Sequence, residues 1–266
     1  MARLMVPGLQ AMKDAGQKIV ALTAYDVTFA RLLDRAGVDV VLVGDSLGMV
    51  VQGRDSTLPV QLEDMAYHVG CVARGLSRSL LLADLSFGSY ETSPEQAFAS
   101  AVRLLQQGAH MVKLEGGQFQ AETVRFLTTR GVPVCAHIGL TPQHVLRLGG
   151  YRIQGRSQAA AEQLLVDARV LEQAGAQALL LEAIPAALAK DISQALHIPT
   201  IGIGAGAGCD GQVLVLYDLL GANPDFKPKF VRNFLEGARG LQDAVEGYVT
   251  AVREGTFPGP EHSFSA

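Results

Sequence analysis

The sequence predicts an α/β protein, a closed (β/α)8 or TIM barrel, in one domain with a helical extension at its C-terminus. Three observations carry that prediction. Short runs rich in Val, Leu and Ile recur eight times between longer amphipathic segments, the rhythm of parallel strands buried on both faces and joined by helices. The 266 residues suit the ~250 of a single barrel. No Pro/Gly/Ser-rich linker divides the chain, which disfavours the rival arrangement, an open doubly wound sheet in two small domains.

The strand candidates, in order, are 18–25, 38–45, 79–87, 110–116, 133–139, 176–184, 199–206 and 212–220. Helical patterns fall between them at 28–37, 93–108, 121–131, 157–175 and 186–197, several closing on Gly, a common helix stop. Ser93-Pro94-Glu95-Gln96 reads as a helix start, with Ser as cap and Pro at the first helical position. Residues 46–63 form a long irregular connection of the kind that covers a site. The whole of 1–266 is expected to be one barrel domain, with its core at 17–221 and C-terminal helices and a polar tail at 222–266. Within that extension, 230–255 has a helical pattern.

Composition narrows the function. With 48% hydrophobic residues the chain can bury a large core, and its net charge of −4 comes without any basic cluster. A nucleic-acid or anionic-membrane surface is therefore not expected. Cys71, Cys135 and Cys209 are odd in number and far apart, which argues against a disulfide framework or a zinc site and fits a reducing compartment. The N-terminus lacks a signal-like apolar stretch, and no segment approaches the ~18 apolar residues of a membrane helix. A soluble, cytoplasmic protein is expected.

Against that background the ends of the strand runs stand out. VVLVGDSLG (40–48), SLLLADLSFG (79–88), HMVKLEGG (110–117) and ALLLEAIP (178–185) each run from apolar residues into an acid. In a (β/α)8 barrel the reacting groups gather at the C-terminal ends of the strands. Alternation along a strand puts Asp84 on one face with Leu82, Glu115 with Lys113, His137 with Cys135 and Glu182 with Leu180. By the same count Asp45 shares a face with Val41 and Val43. Each residue has an ordinary alternative: Asp45-Ser46 or Asp84 as turn formers, Lys113 with Glu115 as an internal ion pair, His137 as a core histidine, Glu182 as a surface strand end. Recurrence on one rim is what capping does not predict. Three acids meeting in a partly buried mouth repel unless neutralised, and an all-oxygen donor set suits Mg²⁺ over zinc, with Mn²⁺ left open.

GIGAGAGCDG (202–211) contains G-x-G-x-x-G, yet a strand-like run follows it, whereas a dinucleotide site needs a helix to open there. A tight turn is the expectation.

LTAYD (22–26), VGDSLGMVVQGRDSTLPV (43–60), ADLSFGSY (83–90), VKLEGG (112–117), AHIGLTPQ (136–143), GIGAGAGCDGQVLV (202–215) and EHSF (261–264) together resemble the ketopantoate hydroxymethyltransferase family over nearly the whole chain. The resemblance implies a Mg²⁺-dependent barrel that adds a hydroxymethyl group from 5,10-methylenetetrahydrofolate to 3-methyl-2-oxobutanoate, in the first committed step of pantothenate synthesis. It implies Asp45, Asp84 and Glu115 as metal-site acids. It also implies Asp45, Ser46, Asp84 and Lys113 as contacts of the 2-oxoacid, His137 as a further active-site residue, and Glu182 as catalytic base. Leu180, Leu181 and Ile184 around Glu182 predict that this base is buried. A homo-oligomer, commonly a decamer, is implied too. One departure is Ser86, where the family often has Pro, which questions the rigidity of that turn.

Overall fold

The computed structural model describes residues 3–223 and 227–265. Eight parallel strands pair in sequence order and close into a barrel: β1 (Ile19–Thr23), β2 (Val40–Val43), β3 (Leu80–Asp84), β4 (Met111–Glu115), β5 (Val134–Gly139), β6 (Ala178–Glu182), β7 (Thr200–Ile203) and β8 (Gly211–Leu214). The first seven lie inside the expected runs. β8 starts one residue early and is cut short, because Leu216–Leu219 is a helical turn and not the end of a strand.

Helices Val27–Ala36, Pro94–Gln106, Ala121–Thr128, Gln158–Gln173 and Ala186–Ala195 occupy the five expected segments. Their starts have local causes. Asp26 accepts from the Thr28 and Phe29 amides at 2.7 and 3.0 Å, and Ser93 accepts from the Gln96 amide at 3.2 Å, with Pro94 in the first turn. Among the described residues, the helices Val6–Asp14 and Leu62–Ala73 and the single turns Leu47–Val50 and Val145–Leu148 carry no expectation. The C-terminal pattern at 230–255 is helical only over Leu241–Arg253, with Gly237 and Gly240 in the irregular stretch before it. Glycine's backbone freedom makes it a poor helix residue there.

Alternation along the strands divides the apolar residues into two cores. Val41, Val43, Leu81, Ala83, Val112 and Leu114 pack outward against the helices. Val40, Leu42, Leu80, Leu82, Met111, Cys135, Ala178, Leu180, Ile201 and Val213 fill the interior, joined by Leu9 and Met12 of the N-terminal helix. That helix plugs the amino end of the barrel. Its Lys13 donates to the Ser193, Leu196 and Ile198 carbonyls at 2.9–3.0 Å and pairs with Asp210 at 3.0 Å. A filled interior leaves only the carboxyl end of the barrel for ligands. The glycine-rich stretch after β7 is a loop joining two strands, and its Asp210 accepts from the Thr200 amide at 2.8 Å. No helix among the described residues is long and apolar enough to cross a membrane.

The last long helix is tied to the barrel by one charge pair. Arg253 Nη2 reaches both oxygens of buried Asp39 at 2.7 and 2.8 Å, and Asp39 also accepts from the Val20 amide at 2.9 Å. Removing one partner of such a pair strands a buried charge. Arg253→Ala is expected to lower unfolding stability by about 3 kcal/mol, measured as a drop in the urea midpoint with the slope unchanged.

Candidate active site

The strand registers determine which side chains meet. Asp84 lies beside Lys113, Glu115 beside His137, and Gly139 beside Glu182. Because Leu82, Met111, Cys135 and Leu180 face the interior, the residues two positions on, Asp84, Lys113, His137 and Glu182, face the mouth, and Glu115 follows Lys113. Asp45 reaches the same cavity by a different route. Alternation would turn it outward with Val41 and Val43, but β2 has already ended at Val43. The backbone turns at Gly44, where a Cβ would stand 2.8 Å from Ser46 Oγ. The Asp45 amide then donates to Asp84 Oδ2 at 3.0 Å.

Lys113 Nζ lies 3.2 Å from Asp84 Oδ1, 3.5 Å from Glu115 Oε1 and 3.2 Å from His137 Nδ1. Burial alone would lower the pKa of this ammonium, but Asp84, Glu115 and Asp45 outweigh it and hold it above the ordinary amine range. For Asp45, Asp84 and Glu115, burial dominates and raises each carboxyl above its usual range, with Lys113 opposing. His137 is pushed the other way by burial and then by Lys113. A charged lysine donates to Nδ1, so the proton of the neutral imidazole sits on Nε2. That atom lies 3.2 Å from Glu182 Oε2, without an aligned hydrogen bond.

Glu182 is less buried than its apolar neighbours suggest, with 16% of its side chain exposed. The residue after it, Ala183, has φ +47. A non-glycine residue in this region stores roughly 1–2 kcal/mol of strain. The strained turn is held by bonds from the Ala183 amide to Ile203 O and from the Gln154 amide to Ala183 O, both 2.9 Å.

Two residues that carried no expectation organise the acids. Gln143, only 3% exposed, donates through Nε2 to Asp45 Oδ2 and Leu85 O at 2.9 and 2.8 Å, and through its amide to Glu115 Oε2 at 2.9 Å. Tyr90 donates to Gln143 Oε1 at 2.5 Å and accepts from the Glu115 amide at 3.1 Å. A glutamine after a proline in a single 3₁₀ turn, Pro142–His144, shows no periodicity that would mark it. Ser46 Oγ bonds the Tyr25 hydroxyl at 2.8 Å. The turn at Ser86 closes without a proline ring, since the Ser86 carbonyl accepts from Ser89 Oγ at 2.6 Å.

All the sequence-predicted residues, Asp45, Ser46, Asp84, Lys113, Glu115, His137 and Glu182, line one cavity of about 310 Å³, at the lower end of the ~300–1,000 Å³ usual for ligand pockets. Met49, Val50 and Thr57, from the connection after β2, form part of its wall. Among the described residues no three His, Cys, Asp or Glu side chains are grouped as a ready ion cage. Lys113 and Gln143 occupy the carboxylates instead, and Glu115 in particular is turned to them and to His137 Nδ1 at 3.3 Å. Asp84 Oδ1 is buried and, beyond its ion pair with Lys113 at 3.2 Å, forms no hydrogen bond among the described residues. Adjacent Asp45 and Asp84 thus offer carboxylate oxygens of the kind Mg²⁺ takes, since that ion uses one or two carboxylates and fills its remaining positions with water and substrate oxygens.

A sealed parallel barrel with acids, a charged lysine and a neutral histidine on successive strand ends has the build of a barrel enzyme that handles an anionic substrate. The family model described as ketopantoate hydroxymethyltransferase matches residues 3–260. The chain belongs to that family. It is 60% identical over 259 residues to "3-methyl-2-oxobutanoate hydroxymethyltransferase 2" of Burkholderia lata, covering 97% of this chain and 95% of that protein. It is 61% identical, with the same coverage, to the 3-methyl-2-oxobutanoate hydroxymethyltransferase of Burkholderia mallei. Among solved structures, phosphoenolpyruvate phosphomutase from Streptomyces platensis subsp. rosaceus superposes with a TM-score of 0.63 at 17% identity, covering 85% of this chain and 86% of that one. 2,3-Dimethylmalate lyase, a PEP mutase/isocitrate lyase superfamily member, superposes at 0.60 and 17%, covering 96% and 98%. At such identities the likeness is one of fold.

Two substitutions test this construction. At Gly139, φ is +95 and a Cβ would collide with the Glu182 carbonyl oxygen, so Gly139→Ala is expected to cost about 2–3 kcal/mol in urea unfolding. Gln143→Leu keeps the volume but removes the two bonds its side chain donates and the one it accepts from Tyr90, and is expected to cost about 2 kcal/mol by the same measurement.

Proposed function

We propose that the protein transfers a hydroxymethyl group to C3 of 3-methyl-2-oxobutanoate, with 5,10-methylenetetrahydrofolate as donor, giving 2-dehydropantoate and tetrahydrofolate for pantothenate synthesis. Family membership supports the overall reaction. The observation that supports the division of labour is Glu182 facing the Nε2–H side of a neutral His137 that is itself held by Lys113.

Lys113, kept charged by the acids around it, holds the carboxylate of the oxoacid, and the Ser46 hydroxyl adds a hydrogen bond. A protonated amine is no nucleophile, so an imine through Lys113 is disfavoured. Glu182 takes the C3 proton, its carboxylate lying 3.2 Å from His137 Nε2. A carboxylate with a reference pKa near 4.3 is a weak base for such a C–H, so the developing negative charge must be stabilised. Asp45 and Asp84 would hold a Mg²⁺ ion, with Glu115, the third acid of the set, turned to Lys113 and Gln143 behind them, and the ion would supply a Lewis acid for that charge.

The substrate dictates the order of the remaining bonds. C3 has a single hydrogen, and after the new C–C bond it is quaternary, so a folate nitrogen attached through the methylene cannot leave by losing a C3 proton. Water therefore breaks the folate C–N bonds first and releases the methylene unit as formaldehyde. The enolate carbon attacks that carbonyl carbon, and a proton returned to its oxygen completes the hydroxymethyl group. We further propose action in the cytoplasm as a homo-oligomer, a decamer by family resemblance, with Mn²⁺ as the ion to compare with Mg²⁺.

Proton NMR of 3-methyl-2-oxobutanoate in D₂O tests this before any folate is added. With protein and Mg²⁺ the C3–H signal is expected to fade. Glu182→Gln is expected to bind the oxoacid and leave that signal intact, and continued exchange in this variant would remove Glu182 from the role of base. Cleavage of a larger oxoacid without folate would point to a lyase instead.

A further inference from the structure

The cavity has two unlike sides. Around β2–β6 it carries the charged cluster described above. Past β7 and β8 it is walled by Ile203, Val215, Phe230 and Phe264, with one charge-bearing side chain among them, Asp218. Asp218 sits on the helical turn after β8 and is only 8% exposed. Its Oδ1 is buried with no hydrogen-bond partner among the described residues. Burial, with nothing opposing it, pushes the Asp218 carboxyl up to about 6. The acids opposite have Lys113 and Gln143, whereas Asp218 has no such donor. Desolvating a carboxylate without a partner opposes folding, and a group of this kind in a cleft marks a ligand contact.

The surroundings define what that ligand is. An apolar wall with aromatic side chains suits a flat ring, and a carboxylate facing it accepts a pair of parallel N–H donors. Phe230 and Phe264 meet at 73° with centroids 6.4 Å apart, forming a corner. Tyr25 connects the two sides of the cavity: its hydroxyl bonds Ser46 at 2.8 Å, and its ring stacks at 5.8 Å on Tyr217, the neighbour of Asp218. A ring held at Asp218 is therefore near the residues assigned to the oxoacid.

We propose that Asp218 is the recognition residue for the one-carbon donor, its carboxylate accepting hydrogen bonds from the 2-amino group and N3–H of the pterin while Phe230 and Phe264 pack against the ring. This rests on the folate-dependent reading above and adds the residue that would select the donor. Asp218 binds the donor and moves no proton of the reaction. Nothing in the sequence marks Asp218, because LYDLL (216–220) reads as the end of an apolar strand.

Isothermal titration of the Mg²⁺-loaded protein with tetrahydrofolate, 2-desamino-tetrahydrofolate and 3-methyl-2-oxobutanoate tests the assignment. Asp218→Asn is nearly isosteric and removes an unpaired buried charge, so its urea midpoint is expected to hold or rise. It is expected to weaken tetrahydrofolate binding at least tenfold and oxoacid binding less than twofold. The wild type is expected to prefer tetrahydrofolate over the desamino analogue about tenfold, a preference that Asp218→Asn and Asp218→Ser both lose. Unchanged tetrahydrofolate binding in the variants, or equal loss for both ligands, would overturn the role of Asp218 alone. Failure of the wild type to bind tetrahydrofolate would overturn the folate reading and this assignment together.

Discussion

Everything at the mouth of the barrel depends on one buried ammonium group. Lys113 is 4% exposed, with Asp84 and Glu115 within 3.5 Å of its nitrogen. Burying a lone charge in such a place is prohibitive, but a lysine among acids lets each offset the other's desolvation. The same group leaves His137 uncharged and directs its remaining N–H toward Glu182. A single side chain thus balances charge and orders the imidazole. An arginine would fork differently and a neutral residue would leave the carboxylates opposing one another.

The barrel was legible because hydropathy is what builds it. Eight buried runs, the amphipathic segments between them and the glycine stops are all signals of burial, and burial is the physics of this fold. For the site, the four strand ends from β3 to β6 were legible for the same reason. Once Leu114 is turned outward, Lys113 and Glu115 have only the interior to face, and Asp84, His137 and Glu182 follow from Leu82, Cys135 and Leu180.

Where alternation stops, legibility stops. Asp45 reaches the cavity although its parity points to the helices, because a turn at Gly44 resets the direction. Tyr90 lies in a loop and Gln143 in a short 3₁₀ turn, and their importance comes from hydrogen bonds spanning 25 to 98 positions, which no local pattern encodes. The C-terminal segment was misjudged for a related reason. Apolar residues at helical spacing suggested one long helix, but glycines before Leu241 leave that stretch irregular, and Phe230 packs as part of the cavity wall.

The plug at the amino end has a consequence for traffic. With Leu9 and Met12 seated among the inward-facing strand residues, the chamber has a floor, and the described cavity lies at the carboxyl end of the strands. In the reaction proposed above, both reactants would then come to the acids from that one end, so the plug makes them meet at a common rim instead of entering from opposite ends of the barrel.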